Sequence, residues 1–164
     1  DKVHVLAADS HVRARVSGVR GPKIIETLAH TFTDISARLD VTDWSQVAAT
    51  VEQTVHHSAF VVIATKIPPA GMETEFTDAL SRLTERHTVL VASATDPDEL
   101  RARRGRADAE EVFLAASAAL SQRADEAGAA DVRLAGALTL QASADLLPAR
   151  TADRYIELKK SGRL

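Results

Sequence analysis

Phe60-Val61-Val62-Ile63-Ala64-Thr65 is a continuous apolar run, followed further along by a second, Val89-Leu90-Val91-Ala92-Ser93-Ala94. Both runs are short, β-branched and non-alternating, the pattern of parallel strands covered on both faces. His57-Ser58 and Pro68-Pro69 bound the first, which is expected to be a central strand. Between the two, Met72, Phe76, Leu80 and Leu83 recur at helical spacing. Strand, helix and strand of these lengths predict a βαβ crossover and therefore a parallel sheet. The fold class that follows is α/β: a three-layer, Rossmann-like, mostly parallel sheet flanked by helices.

Upstream, Val3 to Ala8 and Val12 to Val16 are separated by the turn residues Asp9-Ser10-His11 and predict an antiparallel hairpin. Gly21-Pro22 opens a helix, and Ile24, Ile25, Leu28, Phe32, Ile35 and Leu39 form its apolar stripe. Thr42 and Asp43 are cap candidates for a second helix, with Trp44, Val47, Val51 and Val55 inward. Downstream, Asp96-Pro97-Asp98-Glu99 turns into a basic loop from Arg101 to Arg106. Asp108, with Glu111 three residues on, marks the start of a long alanine-rich helix for which Gly128 is the expected stop. Asp131 to Leu134 then reads as a third strand, and a last helix begins near Ser143 or Asp145. No linker or internal repeat interrupts residues 1–164, so one domain is expected.

Bulk composition narrows the function classes. Hydrophobic residues are 45% of the 164 and charged residues 26%, ordinary values for a globular chain. A net charge of −3 sets up no global field for nucleic acid or anionic membrane. There is no cysteine, which excludes disulfides, thiolate metal sites and cysteine nucleophiles and suits a cytoplasmic location. No apolar run reaches the length of a membrane span, and no signal peptide is visible. Lacking an initiator methionine, the chain is expected to be a piece of a longer protein.

Motifs for chemistry are sparse. His56-His57 are neighbours, whereas metal ligands on one helix want a spacing of three or four. Ser10, Ser58 and Ser93 lie in no G-x-S-x-G, and the seven glycines form neither a P-loop nor G-x-G-x-x-G. Arg101, Arg103, Arg104 and Arg106 are the one basic cluster; without aromatic residues to stack bases they read as a solvated loop or a protein-docking patch, not a nucleic-acid site. Asp96 and Asp98 follow a parallel strand, where ligands of open α/β sheets sit, and are the foothold for an enzyme or ligand-binding alternative.

Three segments in this order carry a resemblance. Asp1-Lys2-Val3-His4-Val5-Leu6, then Glu85-Arg86-His87-Thr88-Val89-Leu90-Val91 with Asp96-Pro97, and finally Asp153-Arg154-Tyr155-Ile156-Glu157-Leu158-Lys159 closing on Ser161-Gly162-Arg163-Leu164 resemble the MoxR-associated branch of von Willebrand factor A-like proteins, catalogued as domain of unknown function fifty-eight. The resemblance implies a partner, a MoxR-type AAA+ ATPase, and a membrane tether upstream of residue 1. It also implies a divalent-cation site built from D-x-S-x-S after a first central strand, a loop threonine and a later aspartate. That first strand and its serines are absent from this chain; Thr42-Asp43 stands at the threonine position, and the usual T-D reads Thr65-Lys66.

An ammonium cannot ligate a cation. The expectation is therefore no metal, no cofactor and no catalytic site, with partner docking on a loop rim of Asp9, Ser10, Thr42, Asp43, Lys66 and Asp96. An ammonium at Lys66 stands roughly where the cation would and can attract an acidic partner residue; the bland reading, which carries more weight, is a solvated surface lysine at a strand end. A third reading is an oligomerisation domain, a homodimer formed through the sheet edge that the missing strand leaves open.

Overall fold

In the computed structural model, which describes residues 2–36, 38–95 and 108–164, the chain forms two compact units, Asp1–His56 and His57–Leu164. The architecture is mixed α/β, with an antiparallel hairpin and a three-stranded parallel sheet flanked by helices.

The first unit opens with the hairpin of β1, Val3–Ala8, and β2, Val12–Val19. Its second strand runs three residues beyond the expected Val16 and places Ala14 and Val16 in the core. Helix α1 is Lys23–Phe32, shorter than its apolar stripe predicts. Ile35 and Leu39 lie beyond its end, and Leu39 is 107% exposed. Helical spacing alone does not extend a helix that buries no residue completely; tertiary packing supplies most helical stability. Helix α2, Trp44–Thr54, is capped as expected: the Asp43 carboxylate accepts the Gln46 N–H at 2.8 Å. Trp44 and Ala48 are its buried residues.

The second unit is built on β3, Phe60–Ala64, β4, Thr88–Thr95, and β5, Leu138–Ser143, in that spatial order and all parallel. The centre of the sheet is β4 and not β3, correcting the expectation from the apolar run at residue 60. Val89, Leu90, Val91 and Ala92 are nearly inaccessible, whereas β3 is only half-buried. Helix α3, Thr74–Thr84, buries Phe76, Ala79, Leu80 and Leu83, but Met72 lies outside it and is exposed.

Helix α4 is Ala109–Leu134, its start capped by Asp108 accepting the Glu111 N–H at 2.8 Å. It runs straight through Gly128 and takes up Asp131 to Leu134, so the expected third strand there is a helix end. The stop is Gly136, whose φ of +86° suits glycine, and the true third strand follows it. Helix α5 is Leu147–Lys160, with Pro148 tolerated in its first turn.

Gly128 is buried for a reason other than helix termination. A Cβ there would stand 2.1 Å from the Pro68 carbonyl oxygen, in the loop that follows β3. Alanine favours a helix interior by about 1 kcal/mol over glycine, but this clash is against backbone that cannot rotate away. Gly128→Ala is expected to destabilise the protein by about 2 kcal/mol, read as a lowered melting temperature by circular dichroism. An unchanged or raised melting temperature would contradict the close approach.

Candidate functional site

The residues assigned to a docking rim fall in both units, and each is accounted for within its own. Asp96 and the arginines Arg101, Arg103, Arg104 and Arg106 lie outside the described residues.

In the first unit, Asp9 occupies the hairpin turn. Its Oδ2 accepts from Arg13 Nε at 2.7 Å, and its Oδ1 accepts the His11 N–H at 3.2 Å. Arg13 extends a second nitrogen to Asp40 at 3.1 Å, so the guanidinium ties the turn to the segment before α2. The Asp43 N–H donates to the Asp9 carbonyl at 3.0 Å, bringing these two acids together through backbone. Desolvation alone pushes the Asp9 carboxyl up; the Arg13 hydrogen bond, the His11 N–H and the charges of Arg13 and His11 outweigh it and hold the pKa below the ordinary range. Asp9 and Asp43 thus serve the turn and the cap. Ser10 is exposed, its hydroxyl 3.0 Å from His11 Nδ1, and Thr42 is half-buried.

In the second unit the C-terminal ends of the parallel strands form one rim, and register makes it stepped. Ala64 pairs with Ala92, but β4 continues to Thr95, which pairs with Ser143. Lys66 therefore stands on the lower step. It is exposed and makes no ion pair with any described residue. The backbone beneath it is fixed: the Thr65 N–H donates to the Ala92 carbonyl at 3.1 Å, and Ile67 is 1% exposed.

Asp145, past the end of β5, is a rim acid that sequence patterning marks only as a helix start. The Ser143 hydroxyl, and the N–H groups of Asp145 and Leu146, hold its carboxyl below the ordinary range against a smaller cost of desolvation. A third strand ending in Ser143 marks Asp145 as a rim residue, a signal that a strand expected at residues 131–134 conceals. Two strand spacings, about 10 Å, separate the ends of β3 and β5.

A separate groove of about 310 Å³ runs between α3 and α4, lined in part by Gly71, Glu73, Thr77 and Asp131. There the Asp131 carboxylate accepts the Gly71 N–H at 3.1 Å, which pins the loop after β3 to α4.

These donors do not fit the cation site that the resemblance implies. Among the described residues no three His, Asp or Glu side chains converge, Asp9 gives both oxygens to the hairpin turn, and an ammonium stands at the end of β3. No family model matches the sequence, and no curated protein or solved structure matches it either. No helix among the described residues is long and apolar enough to cross a membrane.

The Asp9 cluster carries a pH signature in the first unit. Because its folded pKa lies below the unfolded value, its stabilisation is present above the unfolded pKa and is lost as pH falls through the folded one. Unfolding followed by Trp44, the chain's single tryptophan, should become easier below about pH 4. Asp9→Asn should flatten that acid limb and lower stability at pH 7. An acid limb unchanged in Asp9→Asn would remove Asp9 from it.

Proposed function

We propose that this chain is a protein-docking module, which presents Lys66 to an acidic residue of a partner where related domains use a cation. The observation that supports the reading is a charged group on a rigid pedestal. Lys66 is exposed, yet the residues on either side of it are held, Thr65 by its bond to β4 and Ile67 by burial. The Pro68 carbonyl packs against Gly128 just beyond. An ammonium whose backbone is already ordered loses less freedom on binding, so more of its attraction to a carboxylate appears as affinity. The module acts by contact and carries out no reaction.

The class of partner comes from the resemblance alone: a MoxR-type AAA+ ATPase at the cytoplasmic face of the membrane. In this reading the tether belongs to sequence outside residues 1–164. Surface charge pairs are weak in isolation, so Lys66 is an orienting contact within a larger interface.

Binding of a purified MoxR-type ATPase from the same organism should weaken about tenfold in Lys66→Glu, with a milder loss in Lys66→Ala. The wild-type interaction should weaken with added salt and be indifferent to magnesium. Equal affinity of wild type and Lys66→Glu at low salt would overturn the reading.

A further inference from the structure

The groove between α3 and α4 is lined entirely by residues of the second unit, so its shape and charge belong to that unit by itself. It exists because the facing positions are small: α3 offers Thr77 and Ser81, and α4 together with the residue after it offers Gly128 and Ala135. Phe76 and Val132, both buried, form its apolar bottom. Two tertiary contacts hold the helices at this separation. At one end Gly128 lets α4 come against the Pro68 carbonyl. About one turn beyond Ser81, the Thr84 hydroxyl donates to the Ala135 carbonyl at 2.9 Å. A hollow of about 310 Å³ stands at the small end of ligand sites, with room for a small molecule or one long side chain.

Its electrostatics select the charge of an occupant. No lysine, arginine or histidine lines the groove, whereas Glu73 and Asp131 do. Glu73 sits at the start of α3, where the positive end of the helix dipole offsets its charge. Asp131 has the opposite placement: it lies in the last turn of α4, where the negative end of the dipole adds to its own charge. Arg133, the one basic residue of that turn, donates to the Thr139 hydroxyl at 3.2 Å. Asp131 makes no ion pair with a described residue. Its Oδ2 accepts the Gly71 N–H at 3.1 Å, which leaves Oδ1 for a ligand. The hydroxyls of Thr77 and Ser81 donate to the carbonyls of Thr74 and Thr77, each at 2.9 Å, and so keep only lone pairs to offer.

We infer that this groove is a binding site for an organic cation, an alkylguanidinium or alkylammonium group whose head meets Asp131 and whose aliphatic stem lies along Phe76 and Val132. The head brings the donors and the positive charge that the walls lack. The stem covers the apolar bottom and adds burial to a charge contact that would be weak on open surface. A metal ion is a poorer match, because among the described residues no third His, Asp or Glu converges there. Two sources supply the cation: a free amine or guanidine, or the arginine or lysine side chain of a peptide. Lys66 does not line the groove, so a chain that binds the cation and no ATPase would sink the docking reading alone.

Titration of the full chain with butylguanidinium, followed by amide NMR shifts, is the test. Saturable shifts are expected at Gly71, Thr77 and Asp131, with a dissociation constant on the order of millimolar. Butylurea, the neutral isostere, should bind about tenfold more weakly, and added salt should weaken the guanidinium alone. Asp131→Asn keeps an oxygen for the Gly71 N–H and removes the charge, so it should lose affinity by a similar factor. Ser81→Leu fills the hollow, leaves both acids in place and should abolish the shifts. If Asp131→Asn does not fold, Ser81→Leu and the butylurea comparison decide. A capped Gly-Arg-Gly peptide distinguishes the sources: saturable shifts at the same amides assign the site to a peptide side chain, and their absence assigns it to a free small molecule. Butylurea binding as tightly as butylguanidinium, shifts that fail to saturate or fall elsewhere on the chain, or undiminished binding by Asp131→Asn would each overturn the inference.

Discussion

The parallel hydrogen-bond ladder of β4 is the constraint on which the second unit depends. β4 is bonded on both sides, to β3 and to β5, and its Val89 to Ala92 core is sealed from water. Burying that much backbone is tolerable because the N–H and C=O groups of the strand find partners in neighbours on both sides. The crossovers through α3 and α4 follow from parallel pairing, since consecutive parallel strands cannot be joined by a tight turn. Gly128 then lets α4 approach the loop after β3 closely enough to fix it, and that loop follows directly on Lys66.

The same ladder explains which parts of the fold were legible in the sequence. Short, non-alternating apolar runs identify buried parallel strands, and both runs are strands. Which one is central is a property of pairing, not of composition: Phe60–Ala64 and Thr88–Thr95 look alike in hydrophobicity, and only register reveals the first as an edge. Capping chemistry was readable because it is local, as at Asp43 and Asp108. The end of α4 was not, because a glycine inside a helix has two physical causes. One is a left-handed stop, which is Gly136; the other is a close tertiary approach, which is Gly128. Mistaking the second for the first moved the third strand several residues too early and hid Asp145.

Charge divides along the same lines. In the sequence Asp9 reads both as a turn residue and as a member of the loop rim. The structure commits both of its oxygens to Arg13 and the His11 N–H, a partnership that needs the hairpin to bring Arg13 back beside it. Lys66 has no such partner among the described residues, so its charge is left to solvent or to another molecule. Its neighbour in sequence, β3, bonds to β4 alone among the described strands.

Amide hydrogen exchange along residues 60–65, read residue by residue by NMR, tests the account most directly. At dilution, the N–H groups of Val61, Ile63 and Thr65 should be protected by β4, while those of Phe60, Val62 and Ala64 exchange quickly. Uniform protection of all six residues at every dilution would mean that the edge is already covered within a single chain, and the account would be wrong.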